Sequence, residues 1–129
     1  MTQVYEFYDM EVKMSIIRNI DVELAPGSVE NTCRRILVSP DKGSGAITLG
    51  ELIMKPGTEL PIHTHRIEEA IVITKGEATA MLGEETHTLG PGDVILAPAG
   101  IKHMVANRSN KPMGFLFFFP AVEVHIESV

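Results

Sequence analysis

Cysteine and positive charge are both scarce in this sequence. The single cysteine, Cys33, cannot form an intrachain disulfide, so a small secreted fold held by several disulfides is excluded. The 11 lysines and arginines are outnumbered by 17 aspartates and glutamates, which gives a formal net charge of -6. We therefore expect neither nucleic acid nor an anionic membrane surface as a partner.

Long apolar segments are also missing. The most apolar stretch, residues 115–120, is far shorter than the ~20 residues that a membrane-spanning helix needs. Near the start, Glu6, Asp9 and Glu11 stand where a signal peptide would have a basic end and an apolar run. We therefore predict a cytoplasmic protein.

Length and composition indicate one all-β domain. A chain of 129 residues can bury roughly two thirds of its unfolded surface in a single core. Its 11 glycines and 8 prolines, together with many Val, Ile, Thr and Phe, are typical of short strands joined by turns. The clearest strands are expected at residues 32–39, 46–54, 70–74, 77–82, 85–89, 94–97 and 113–119.

Two histidines and a glutamate lie close together near a predicted bend. His63 and His65 are two residues apart, so on an extended strand both imidazoles leave the same face, about 7 Å apart at the backbone. Glu69 follows four residues later, and Gly57 and Gly76 mark turns on either side. The arrangement favours a metal site that needs one more donor.

The best candidate for that donor is His103. It follows residues 90–102, in which two glycine- and proline-containing turns flank the short apolar strand 94–97. The remaining histidines fit no such spacing. We expect His87 at the surface, and His125 to point outward from a final strand in the weakly alternating tail 122–129.

These two stretches resemble the two signature motifs of the cupin superfamily. Its members are small double-stranded β-helix, or jelly-roll, barrels that commonly hold a metal ion. All ten motif positions are matched without a gap: Gly57, His63, His65, Glu69 and Gly76 in the first motif, and Gly92, Pro98, Gly100, His103 and Asn107 in the second.

The resemblance implies a ligand set and a cofactor. The implied metal ligands are His63, His65, Glu69 and His103, which would bind a divalent transition metal. Such a mixed nitrogen and oxygen set suits Fe, Mn, Ni, Co, Cu or Zn without deciding among them. A second role is open for Glu69, which as a catalytic residue would be a general base toward bound substrate.

Two classes of function remain open, because one fold hosts many reactions. The first is a metal-dependent enzyme, dioxygenase-like or an isomerase or lyase, acting on a small chelating organic substrate. The second is a sensor or carrier that binds metal and a small molecule without turnover. If Glu69 faces inward, Ile71 and Ile73 follow it, so the predicted cavity is mostly apolar and favours a small chelating molecule over a sugar phosphate.

Adjacent side chains of a strand point to opposite faces, so either Arg34 or Arg35 faces the barrel interior. An inward arginine could hold a substrate carboxylate through two parallel hydrogen bonds. The sequence leaves open which arginine it is, and whether the inward one simply stays solvated. Besides these two residues, only Lys55 offers a positive charge near the predicted cavity.

The residues ahead of the barrel are interpreted as an arm. We expect an arm over residues 1–30, with extended segments at 11–17 and 19–24 and a break at 25–28, and a single barrel domain over residues 31–129. Such an arm packs on its own barrel or on a partner's sheet edge, where it would cover an exposed strand. On this ground, and from the resemblance, we expect a homodimer.

Overall fold

The computed structural model describes residues 14–129, and it is almost entirely built of strands joined by turns. The strands are β1 (Ala25–Pro26), β2 (Thr32–Val38), β3 (Thr48–Met54), β4 (His63–Thr64), β5 (Glu69–Lys75), β6 (Ala78–Leu82), β7 (Glu85–Leu89), β8 (Val94–Ala97), β9 (His103–Ala106), β10 (Met113–Phe119) and β11 (Glu127–Ser128). Two short 3-10 turns occur at Asn19–Asp21 and Pro40–Lys42. No helix within the described part of the chain has the length and apolar character to cross a bilayer.

The strands form two antiparallel sheets. The six-stranded sheet has the order β1-β2-β3-β10-β5-β8, and the five-stranded sheet has the order β11-β4-β9-β6-β7. Alternate side chains of each strand point between the sheets, as the two-residue period of a strand requires. The buried core consists of Met54, Ile71, Ile73, Ala78, Ala80, Ile95, Val105, Met113 and Phe115. This is the all-β jelly-roll barrel that the sequence predicts.

Gly76 closes the turn between β5 and β6 for two reasons. Its backbone φ is +75°, a left-handed conformation that glycine adopts without steric cost. A Cβ atom at this position would also lie only 2.5 Å from the carbonyl oxygen of Pro112. Because Pro112 immediately precedes β10, the absence of a side chain at residue 76 lets the first motif pack against the last long strand.

The expected strand at 19–24 is wrong. Asn19–Asp21 forms a 3-10 turn instead, and residues 23–24 are irregular. This segment bonds to side chains of the barrel and not to the backbone of a neighbouring strand. Asn19 donates to the Glu51 side chain over 3.1 Å, and the Val22 carbonyl accepts from the Arg35 side chain over 3.2 Å. Of the expected segment at 11–17, residues 11–13 lie outside the described residues and 14–17 are not a strand.

The expected break at 25–28 is also partly wrong, because Ala25–Pro26 forms β1 and pairs with β2. Pro26 lacks a backbone N–H, which is tolerated here because β1 is at the edge of the six-stranded sheet. Asn19, Val22 and Ala25–Pro26 therefore contact β2 and β3 of their own chain.

Candidate metal centre

Three of the four candidate ligands stand at the first residue of a strand, and the fourth stands just after a strand end. His63 opens β4, Glu69 opens β5 and His103 opens β9, while His65 follows directly after Thr64, the last residue of β4. His63 is the cross-strand partner of His103, which joins the two sequence motifs across the five-stranded sheet. His65, Glu69 and His103 are each no more than 6% exposed.

The donor atoms of the four side chains all lie within 4.8 Å of one another. Nε2 of His103 is 2.9 Å from a carboxylate oxygen of Glu69, and Nε2 of His65 is 3.3 Å from the same oxygen. The ring centroids of the three histidines are 4.4 to 5.2 Å apart. The cluster is therefore compact enough to hold one metal ion.

Backbone carbonyls orient all three imidazoles. The Nδ1 atoms of His63, His65 and His103 lie 2.8, 2.8 and 2.9 Å from the carbonyl oxygens of Pro61, His125 and Ile101. A carbonyl oxygen only accepts, so each Nδ1 carries the proton and donates it. In a neutral ring this leaves the lone pair on Nε2, the tautomer that a metal-binding histidine needs.

This orientation directs three lone pairs and a carboxylate at one another. Nε2 of His65 is buried and has no hydrogen-bond partner among residues 14–129, although the Glu69 oxygen is near. Acceptors that face each other in such a site need a cation or a shared proton between them, because unpaired buried polar groups cost free energy; a proton between Nε2 of His103 and Glu69 would satisfy that one pair over 2.9 Å and leave Nε2 of His65 without a partner among the described residues. A divalent metal ion satisfies all four at once, so the donor set fits the implied cofactor.

Burial and hydrogen bonding shift the titration of the cluster. Burial lowers the pKa of His63, and the Pro61 carbonyl offsets this only in part. Burial also acts to lower the pKa of His65, but its contacts with Glu69 and the His125 carbonyl raise that pKa above its ordinary value. For Glu69, burial acts to raise the pKa, and the contacts with His103 and His65 lower it overall. The Glu69 side chain is therefore a carboxylate at neutral pH.

The second motif positions its own histidine through backbone contacts. The N–H of Gly100 donates to the carbonyl of His65 over 2.8 Å, which ties the turn before β9 to the first motif. The fully buried Asn107 amide donates to the carbonyls of Met54 and Lys111, and its oxygen accepts from Ser109. Asn107 thus fixes the end of β9.

A cavity of about 260 Å³ opens beside the candidate metal centre. Phe115, Phe117 and Phe119 extend from β10 into it, because alternate residues of a strand share one face. The ring of Phe119 lies 4.8 Å from that of His65, edge to face. Leu52, Leu60 and Ile126 add further apolar wall, so the cavity is mostly apolar, as the sequence predicts. The expected Ile71 and Ile73 do not line it, because their side chains are packed in the buried core.

The structure decides between the two arginines of β2. Arg34 lines the cavity, whereas Arg35 lies on the opposite face and forms an ion pair of 2.8 Å with Glu51. Lys55, the third basic residue considered, is exposed and does not line the cavity.

The two remaining histidines lie outside the cluster. The His87 ring is exposed and pairs with Glu85 over 3.1 Å, which confirms the surface prediction. The His125 ring is also exposed, as expected, but the residue precedes the short final strand Glu127–Ser128, so its predicted place within that strand is wrong. Sequence reasoning missed that its carbonyl orients His65, because every residue carries a carbonyl and nothing in the sequence distinguishes this one.

The sequence from residue 50 to residue 119 matches the family described as Cupin domain (Cupin_2). This match spans more than half of the chain, so the protein belongs to the cupin family.

Solved structures share the barrel. The polyketide cyclase RemF from Streptomyces resistomycificus superposes with a TM-score of 0.82 over 91% of this chain and 86% of that chain, at 24% identity. Oxalate decarboxylase from Bacillus subtilis superposes with a TM-score of 0.73 over 85% of this chain and 30% of that chain, at 22% identity. At these identities the likeness shows the fold alone.

One curated relative is more similar in sequence. Gentisate 1,2-dioxygenase from a Ralstonia species is 34% identical over 104 residues, which cover 73% of this chain. The same residues cover 28% of the relative, so this chain matches little more than a quarter of its length.

Proposed function

We propose that this protein is a metal-dependent enzyme acting on a small organic substrate that chelates through adjacent oxygens. The observation that carries the proposal is the convergence of four donor atoms within 4.8 Å at the polar end of an apolar cavity. His63, His65, Glu69 and His103 would hold the ion. The bound metal would supply Lewis-acid chemistry or, as Fe(II), reactivity toward dioxygen.

The chain's own residues bind the substrate and exclude water. The three phenylalanines of β10 offer flat apolar walls that suit an aromatic or conjugated body. The cavity of about 260 Å³ is slightly smaller than typical ligand sites, which start at ~300 Å³, so the substrate must be small. The similarity to gentisate 1,2-dioxygenase supports a dioxygenase-like reaction over an isomerase or lyase reaction.

Glu69 has two possible roles, and its contacts favour coordination. A general base works best with a pKa near the operating pH. The contacts with His103 and His65 outweigh burial and lower the pKa of Glu69, which makes it a weaker base and a better anionic ligand. We therefore place Glu69 among the metal ligands.

The enzyme proposal is tested by oxygen consumption. The protein is loaded with Fe(II) without air, and oxygen uptake is then recorded with a panel of catechols, hydroquinones and diketones. Uptake with at least one compound, lost when the metal is chelated, is the expected result. A ligand that binds tightly to protein loaded with each of several metals, yet is recovered unchanged, would favour the sensor or carrier function instead.

The ligand set is tested by a matched histidine pair. His103→Ala removes a buried donor, whereas His87→Ala removes an exposed ring of the same chemistry. Loss of a group that only orients a metal ligand costs roughly 10- to 100-fold in metal affinity, so loss of His103 itself should cost at least as much. Metal content is measured after dialysis against a competing chelator, with circular dichroism as the folding control. Equal metal contents in the two variants would contradict the assignment of His103.

We also propose that residues 31–129 form the barrel domain, that residues 1–30 form its arm, and that two copies pair. The support is an apolar patch on the outer face of the six-stranded sheet. In register across three strands, Phe118, Ala70 and Leu96 form one row, and Leu116, Val72 and Val94 form the next. Val94 and Leu96 are 59% and 56% exposed, and an exposed patch of this kind marks an interaction site.

A further inference from the structure

The charged groups of the cavity are few and unevenly placed. Apart from the histidines, Glu69 at the candidate metal centre and Arg34 on β2 are the only charged residues that line it within residues 14–129. If Glu69 is committed to a divalent ion, as the proposed function requires, the ion and Arg34 both contribute positive charge to the cavity. This occurs in a chain whose formal net charge is -6, so the cavity differs in sign from the protein as a whole.

Arg34 has no partner of its own within residues 14–129. Its side chain makes no ion pair and no hydrogen bond there, and it is exposed where β2 borders the cavity. Its neighbour Arg35 contrasts with it, because Glu51 and the carbonyl of Val22 both bind the Arg35 guanidinium. The two consecutive arginines therefore differ: Glu51 neutralises Arg35, whereas no group in the described part of the chain binds the donors of Arg34 at the cavity.

The position of Arg34 relative to the apolar wall restricts what it can bind. Its cross-strand partner on β3 is Leu52, which lines the same cavity as the phenylalanines of β10. A guanidinium has five N–H donors in a planar fork that matches the two oxygens of a carboxylate. A phosphate group would favour a second cationic side chain, and no lysine or further arginine among residues 14–129 lines the cavity.

We propose that Arg34 determines specificity by binding the carboxylate of a planar aromatic acid substrate. The ring of the substrate would lie among the phenylalanines of β10, and its oxygen substituents would reach the candidate metal centre. This inference rests on the proposed function, because it takes the candidate metal centre as the reacting site. It adds the substrate class, an anionic aromatic acid, which the metal ligands alone do not define.

The test compares an acid with its neutral amide. Binding of 3,4-dihydroxybenzoate and of 3,4-dihydroxybenzamide is measured by calorimetry or by ligand-observed NMR, on the full chain with bound metal and again after chelation. We expect the acid to bind roughly 3- to 10-fold more tightly than the amide in both states, a modest factor because Arg34 is partly solvated. Arg34→Gln should remove the preference for the acid.

Arg35→Gln is the matched control, because it changes the same residue type one position away on the opposite face. It should keep the preference for the acid even if it lowers thermal stability through the loss of the Glu51 ion pair. Metal content is measured on every sample and should equal that of the unchanged chain in Arg34→Gln. The test is therefore independent of the metal proposal, whose own failure would appear as absent metal.

Two results would overturn the assignment of Arg34. If Arg34→Gln still prefers the acid, the carboxylate is held elsewhere in the cavity. If the unchanged chain binds acid and amide equally in both metal states, Arg34 does not select for charge.

Discussion

Gly50→Ala should push Phe117 out of place, because the glycine provides the space in which the ring lies. The two residues are cross-strand partners on β3 and β10. A Cβ atom at residue 50 would lie 2.1 Å from Cζ and 2.6 Å from Cε2 of the Phe117 ring. Carbon atoms in contact are about 3.5 to 4.0 Å apart, so the ring would have to move by roughly 1.4 Å or more.

The cost follows from two opposing effects. Overpacking a core costs about 1–3 kcal/mol, whereas replacing glycine by alanine in a strand gains about 0.5–1 kcal/mol of backbone entropy. We therefore expect Gly50→Ala to lower the free energy of unfolding by about 1–2 kcal/mol. The ring moves toward the cavity, so binding of an aromatic ligand should weaken as well.

Urea unfolding measures this cost as a change in midpoint at constant m value. Gly45→Ala is the control, because a Cβ atom at residue 45 would meet no other atom within 4 Å, and its effect should stay within about 0.5 kcal/mol. Combining Gly50→Ala with Phe117→Leu should cost less than the sum of the two changes, because the shorter side chain frees the space. Strict additivity, or a Gly50→Ala variant as stable as the control, would refute the packing of Phe117 against Gly50.

Three further predictions concern the tail, the pH dependence and the sheet face. Deleting residues 125–129 removes the carbonyl that orients His65, so metal affinity measured by chelator competition should fall roughly 10-fold or more, and an unchanged affinity would exclude that role. Because its contacts with Glu69 and the His125 carbonyl outweigh burial and raise the pKa of His65, more of this ring is protonated at pH 6.5 than at pH 8.5, and metal binding must displace that proton. Zinc binding should therefore release more protons at pH 6.5 than at pH 8.5, as unbuffered titration would show, and equal release would contradict this. Leu96→Glu should convert a dimer into monomer in sedimentation experiments, whereas Thr88→Glu on the other sheet should not; a dimer that persists in Leu96→Glu would place the interface elsewhere.

The barrel was predictable because most of its strands alternate clearly. The predicted strands at 94–97 and 113–119 coincide with β8 and β10, and the hairpin around Gly83 is also confirmed. In β10, Phe115, Phe117 and Phe119 occur at every second position, so they were bound to share one face of the strand. Local pattern and tertiary packing agree in these segments.

The predictions failed where backbone contacts outweigh side-chain pattern. Residues 19–24 contain enough apolar side chains to suggest a strand, but hydrogen bonds to Glu51 and Arg35 hold them as a turn on the sheet. In the tail 122–129 the final strand was likewise expected to include His125, but the chain pairs only at Glu127–Ser128, next to β4. In both segments the decisive partner lies far away in the sequence.

The ligand side chains of the candidate site were predictable from the sequence, but the groups that orient them were not. The two motifs indicated that His63, His65, Glu69 and His103 would converge, and the structure brings them together. That they bind metal remains a prediction. The three carbonyls that set the imidazole orientation, and the choice of Arg34 over Arg35 for the cavity, depend on strand facing and register, which only the folded chain reveals.

X-ray absorption spectroscopy at the metal edge, combined with elemental analysis of the loaded protein, tests the central claim most directly. We predict one divalent ion per chain whose spectrum shows three imidazole nitrogens and a carboxylate oxygen, and whose imidazole signal falls by about a third in His103→Ala. A protein that retains no stoichiometric metal from any of the six candidate ions, or a spectrum without imidazole ligands, would contradict it.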